Sequence, residues 1–391
     1  MTGRDLTRAL PFWVFFAISA LSNVANAAIS PTMPLYVGEV LDGGPDLAGA
    51  LIALAPAAAV LAMPAAGTLA DRLGYRRVAL VAAGLSMTGM IVMAAVPTLA
   101  GAITGRLLFG LGNAAAVTLA MSWLVAFTST GTRGRALSIY GLSVWVGVAV
   151  GPQLAAMLSA EAGPRAVLVA CIALDAVMFA LFLCAPAPAA SSATAEAPLP
   201  AGPGVLTRAL RAVWLPGVVA GAAWCGQGLL MGFLLVHLVA AGVPATGVFG
   251  AATVFAVFAV CVIASRIVLA GMPDRIGPER AAAVSLVVLS AGLAVLAVST
   301  SFPVAAAGAG VMGVGFSPLY PSLTMLATRG LHATNRALGL GLFGAFTSIG
   351  SGAGAMLGGI VIAVTASGWA FALAAALQLA ALAALLTARR R

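Results

Sequence analysis

Two ionisable residues stand inside long apolar runs, Arg106 and Asp175. A charge held in hydrocarbon costs roughly 2.5–3.5 kcal/mol or more, so such residues are functional candidates. The chemistry open to them is proton carriage and the holding of a polar solute. Asp175 is the one carboxylate placed near the middle of a run. A neutral acid is far cheaper in lipid than its anion, so Asp175 is a candidate for proton coupling. The other reading is a permanent ion-pair or helix-packing partner. Arg106 is a candidate for substrate binding and proton coupling, or else a structural hydrogen-bonding hub. Arg266 lies near the end of its run and can snorkel to an interface, so it ranks below both.

Around these charges run polar stripes. At about 100° per residue, Ser19, Ser22, Asn23, Asn26 and Ser30 fall on one helix face. Arg106, Asn113 and Val117 share a second face; Trp224, Gln227 and Met231 a third; Ser317, Tyr320 and Thr324 a fourth. His237 falls on the far side of the third. Each Ser or Asn can instead serve an interhelical bond or an i−4 backbone bond. Taken as binding surfaces, these amides, hydroxyls and aromatic rings, with one cation and few acids, suit a neutral or anionic organic molecule.

Other chemistries lack their residues. Cys171, Cys184, Cys225 and Cys261 all lie in apolar runs without CxxC spacing, and no His or acid cluster could hold a metal. Gly339-Leu-Gly-Leu-Phe-Gly344 matches GxGxxG, but no strand precedes it, so it reads as helix packing. Neither a Walker A sequence nor HExxH occurs. The chain is expected to be no enzyme and to need no cofactor; a gradient must supply its energy.

The elements that position these residues follow from composition. The 391 residues are 62% hydrophobic and 7% charged. A soluble domain runs near half apolar and a quarter charged, so the solvent here is a lipid bilayer. The net charge of +9 could suggest nucleic acid, but no basic stripe is interleaved with aromatics. Every basic residue is Arg, and most sit in short clusters between apolar runs. The first run imitates a secretory signal with Ala25-Asn26-Ala27 as cleavage site, but it continues to about Val37, long enough to span. Further spans are expected at about 48–69, 78–96, 99–127, 137–160 and 166–186, then 213–240, 247–270, 281–299, 303–327, 338–364 and 369–387. The fold class is an all-α membrane protein of twelve transmembrane helices in two pseudo-symmetric six-helix bundles. The expected division is 1–186, a Pro/Ala/Ser linker at 187–211, and 212–391. Arginines crowd one side, against Arg165 alone on the other, which puts both termini in the cytoplasm.

The halves echo each other. Asp71-Arg72-Leu-Gly74 returns as Asp274-Arg275-Ile-Gly277, Gly110-Leu-Gly112 as Gly313-Val-Gly315, Arg135-Ala-Leu137 as Arg336-Ala-Leu338, and Gly151 as Gly352. Offsets of 201 to 203 residues indicate a parallel repeat, an arrangement that commonly flanks a midplane site. Gly147 and Gly151 share a helix face, where small residues allow close approach, and Pro152 adds a kink.

At these residues the chain resembles the major facilitator superfamily. Gly67-x-Leu69-Ala70-Asp71-Arg72-x-Gly74-x-Arg76-Arg77 is similar to the signature between its second and third helices, with Tyr75 at a position often basic. Asp274-Arg275-x-Gly277-x-x-Arg280 resembles the weaker second copy. Arg106 to Gly112 resembles the fourth-helix motif of proton-coupled members, and Gly147 to Pro152 the fifth-helix motif of drug/proton antiporters, with Ala155 and Ala156 where a Gly pair is usual. Asn23 and Asn26 lie on the first helix, where many such antiporters carry an acid.

The resemblance implies that helices 1, 4, 7 and 10 line a central cavity, which would make Asn23, Asn26, Arg106, Asn113, Trp224, Gln227, Met231, Ser317 and Tyr320 substrate-binding. It implies gating by Gly67, Asp71, Arg72, Gly74, Arg76, Arg135, Asp274, Arg275 and Arg336, with Asp71 latching near Asn335 and Arg336. A carboxylate is favoured at a helix N-terminus, which supports the latch. The cytoplasmic loop 67–77 would use Gly67 and Gly74 for close approach and a tight turn. The expected function is proton-coupled efflux of a small-molecule substrate by a monomer in the plasma membrane. An uptake symporter or uniporter on the same fold is the alternative. A non-transporting sensor would need a soluble signalling domain, and tails of about ten and about four residues leave no room for one.

Overall fold

A computed structural model describes residues 10–128, 133–185, 204–329, 331 and 336–388. The side chains of Arg135 and Arg336 lie outside what is described, as do His332, Asn335 and residues 186–203 of the linker region. Every regular element among the described residues is a helix: α1 (Leu10–Val40), α2 (Pro45–Leu73), α3 (Tyr75–Ala95), α4 (Leu99–Ala126), α5 (Arg133–Tyr140), α6 (Leu142–Ala162), α7 (Pro164–Cys184), α8 (Val205–Ala240), α9 (Ala251–Val268), α10 (Met272–Ile276), α11 (Pro278–Ala297), α12 (Phe302–Thr328), α13 (Arg336–Val364) and α14 (Ser367–Ala388). Among the described residues, twelve stretches are long and apolar enough to cross a bilayer. Helices are the natural result, because only they satisfy every backbone group within one lipid-exposed segment.

Three boundaries differ from the sequence expectations. The stretch 67–77 is not a loop. Helix α2 runs on through Asp71 and Arg72 to Leu73, and α3 starts at Tyr75. Gly74 alone turns the chain, with φ 89° and ψ 140°. Gly277 repeats this between α10 and α11, with φ 85° and ψ 148°. Those angles are close to glycine-only territory, so two helices can abut across one residue. Next, α8 begins at Val205, inside the stretch read as linker. Last, the fifth span is irregular at Gly141, between α5 and α6, although the backbone there keeps right-handed helical angles.

The chain divides into two compact units. The first holds residues 1–43 and 54–194; the second holds 44–53 and 195–391. Within the first, α1 packs on α6, α7 and α4, while α3 packs on α4 and α7. Within the second, α8 packs on α13, α14 and α12, while α11 packs on α12 and α14. The pairing is the same in each.

Glycines set the closest approaches. A Cβ on Gly110 would come 2.6 Å from Ala55 Cα, and one on Gly313 2.7 Å from the Phe258 carbonyl oxygen. One on Gly112 would come 2.9 Å from Ser86 Cα, and one on Gly315 2.9 Å from Leu289 N. Each Gly-x-Gly therefore admits the backbones of two neighbouring helices. Gly147 and Gly151 meet Asn23 and Ala27 of α1, while Gly350 and Gly354 meet Gly221 and Cys225 of α8. By packing, Gly151 therefore corresponds to Gly354, not to Gly352 as the sequence echo suggested.

Candidate functional site

In the first unit, Ser86 (α3), Arg106 (α4), Cys171 and Asp175 (both α7) are buried together. Ser86 and Asp175 lie near the midpoints of their helices, where water is farthest. The Ser86 hydroxyl donates to Asp175 Oδ2 at 2.9 Å. Oδ1 is buried and has no hydrogen-bond partner among the described residues. Asp175 is thus held by a hydroxyl rather than by a guanidinium. Cys171 lies within electrostatic reach of both Arg106 and Asp175, and its thiol points at the Ala25 carbonyl at 3.7 Å. The Arg106 guanidinium lies over the Phe109 ring, 5.6 Å from its centroid, a cation–π contact. Arg106 is only 1% exposed, so no snorkelling side chain reaches water here.

The α1 stripe joins this unit through hydrogen bonds. Asn113 donates to Ser22 at both its carbonyl (3.1 Å) and its hydroxyl (2.7 Å). Asn23 donates to the Ser19 carbonyl at 2.7 Å, an i−4 backbone bond. Ser19 and Ser143 share a hydroxyl contact of 2.7 Å, and Tyr140 donates to the Val117 carbonyl at 3.1 Å. Asn26 is exposed. Asn23 and Asn113 thus each use part of their hydrogen-bonding capacity within the bundle, and Asn26 is the exposed amide of the stripe.

In the second unit, Trp224 is the centre of an aromatic cluster. Its ring lies 4.7 Å from Phe316 and 5.7 Å from Tyr320, and Tyr320 lies 5.7 Å from Phe343. Gln227 and Met231 follow Trp224 along α8, both half-buried. Ser317 is buried, and with Tyr320 it lines a cavity of about 290 Å³ that also takes in Arg266. His237 is a structural residue: its ring nitrogens meet the Ser367 hydroxyl at 2.7 Å and the Leu296 carbonyl at 3.1 Å.

Four of the residues expected to gate are exposed at or near helix ends. Asp71 and Arg72 end α2, Asp274 and Arg275 lie in α10, and all four are exposed. The Tyr75 phenol lies near the Asp71 carboxylate. Arg76 donates to the Leu183 carbonyl at the end of α7, where unpaired helix carbonyls welcome a cation. A Cβ on Gly67 would meet nothing within 4 Å.

Sequence reasoning passed over Ser86 and Gln378. Gln378 is fully buried, and its side-chain amide donates to the Ala222 carbonyl at 2.8 Å. It lies 203 residues after Asp175, the same offset that relates Gly110 to Gly313. Extending the repeat to the last helix of each half would have found it.

The family model that matches this chain is described as the Major Facilitator Superfamily, over residues 15–269 and 244–391. An uncharacterized MFS-type transporter of Salmonella typhimurium is 28% identical over 355 residues, 89% of this chain and 88% of the relative. YhhS of Escherichia coli, likewise an uncharacterized MFS-type transporter, is 27% identical over 338 residues, 84% and 80% of the two chains. Among solved structures, a mutant of the nucleoside transporter NupG gives a TM-score of 0.82 at 15% identity, covering 96% of this chain and 99% of that one. An auto-inhibited POT family peptide transporter gives 0.78 at 13% identity, covering 98% and 97%. At such identities these two structures establish the fold alone.

Proposed function

The chain belongs to the Major Facilitator Superfamily and is an MFS-type membrane transporter, and from that premise we propose that it exports a small organic molecule in exchange for protons. Alternating access would expose the site to each side of the plasma membrane in turn, with both termini in the cytoplasm and the monomer as the working unit. The observation that carries this reading is Asp175, a buried carboxylate held by one serine hydroxyl beside a buried arginine. Its repeat counterpart is the neutral amide of Gln378. The fold thus accepts an uncharged group at this position, and packing alone gives no reason for an acid in the first unit. Proton arrival at Asp175 would remove the cost of a buried anion and bias which side opens.

The close α1–α6 seam at Gly147 and Gly151 supports a sealed bundle, which an antiporter needs to prevent a proton leak. Asp71, Arg72, Gly74, Arg76, Asp274 and Arg275, with Gly67, Arg135 and Arg336, would govern the switch between states rather than specificity. Asn23, Asn26, Arg106, Asn113, Trp224, Gln227, Met231, Ser317 and Tyr320 would contact or frame the substrate.

Inside-out vesicles with an imposed acid-inside gradient test this. Accumulation of a compound from a panel of labelled organic molecules, abolished by a protonophore, is the expected result. Transport indifferent to the gradient would sink proton coupling. Arg106→Ala should abolish transport while still inserting in the membrane; normal transport by that variant would overturn the site assignment.

A further inference from the structure

Resting on the reading of this chain as a transporter, we propose that the cavity bounded by Arg266, Ser317 and Tyr320 is an anion subsite. It takes the carboxylate or phosphate group of a small organic anion whose apolar or aromatic body lies along the Trp224 cluster. This narrows the substrate from any small organic molecule to an organic anion.

Arg266 sits two residues before the end of α9 and is half-buried, facing Ser317 and Tyr320 of α12 across the cavity. Tyr320 lies within electrostatic reach of the guanidinium. A guanidinium presents a planar fork of donors that matches carboxylate and phosphate oxygens. Ser317 and Tyr320, which line the same cavity, each carry a hydroxyl that can donate. Pro318 and Pro321 also line the cavity. At about 290 Å³ the cavity suits an anionic group with a few attached atoms. One aromatic ring, Tyr320, borders the cavity itself. The Tyr320 ring that borders the cavity also contacts Trp224 and Phe343, and Trp224 contacts Phe316. Helices α9 and α12 line the cavity, and the Tyr320 ring joins it to rings on α8 and α13.

An anionic lipid headgroup shares this chemistry, and the experiment separates the two sources. Full-length protein in phosphatidylcholine nanodiscs is titrated with benzoate, phenylacetate and phenyl phosphate, and with benzamide and phenylacetamide as neutral counterparts. Thermal midpoint and tryptophan fluorescence are read. At least one aryl anion should give a saturable response that its neutral counterpart lacks. Arg266→Gln should weaken it about tenfold or more, with partial recovery in Arg266→Lys. Unchanged binding by Arg266→Gln, equal binding of the amides, or no saturable response to any anion overturns the subsite. The titrations are repeated with phosphatidylglycerol in the nanodiscs. Stabilisation by that lipid that needs Arg266, with none by the aryl anions, would make this a lipid site and also overturn the assignment. Binding needs no gradient. A silent vesicle assay beside intact anion binding would therefore sink proton coupling and leave the subsite standing.

Discussion

Ser86 donates to Asp175 Oδ2 at 2.9 Å, and both residues are buried near the middle of a spanning helix. A hydroxyl can donate to the carboxylate anion and can also accept from the protonated acid. The pair therefore stays hydrogen-bonded in either protonation state, which is what a reversible proton carrier in lipid requires.

Asp175→Asn keeps the shape and removes the titration. Because Gln378 already occupies the equivalent position, folding should survive within about 1 kcal/mol. Gradient-driven transport should fall at least about tenfold, measured with and without a protonophore in vesicles. Full gradient response in Asp175→Asn would remove Asp175 from the coupling.

Gly151→Val would press a side chain into α1, since even a Cβ lies 2.8 Å from Ala27. Overpacking of this kind costs about 1–3 kcal/mol. Gly38→Ala, where nothing lies within 4 Å, should change stability by less than about 0.5 kcal/mol. Thermal unfolding of the purified variants compares them.

Gly74→Ala and Gly277→Ala place a side chain at φ 89° and 85°. Each should cost about 1–3 kcal/mol of backbone strain. Gly74→Ala should also slow transport without changing which compounds compete, as counterflow with substrate mixtures would show.

His237→Ala removes both contacts that tie α8 to Ser367 and Leu296. A loss of about 1–3 kcal/mol is expected, with specificity unchanged. A changed competitor profile would show that His237 reaches the substrate after all.

Much of the site was legible along the chain. Arg106 and Asp175 announce themselves because charge is rare and costly in an apolar run. Placing faces at about 100° per residue puts Trp224 and Tyr320 each on a polar or aromatic face, and the fold brings the two rings within 5.7 Å. Asn23 and Asn113 share such faces too, yet one bonds its own helix and the other bonds Ser22. Periodicity assigns a face; it does not tell a packing amide from a binding one. Arg266 was ranked low because distance from a span's end says nothing of the neighbouring helix, and only α12 folded beside α9 makes its cavity. Gly151 was matched to Gly352 by residue type, whereas packing pairs it with Gly354.

Composition, length and recurring motifs are enough to reveal the lipid solvent, the twelve spans and the repeat, because lipid demands long apolar helices and leaves a strong signal along the chain. Tertiary structure decided which buried polar groups meet. Ser86 and Asp175 are 89 residues apart, on helices whose relative rotation no local pattern encodes. Their contact depends on α3 and α7 packing side by side, and α3 approaches α4 closely where Gly112 admits the backbone at Ser86.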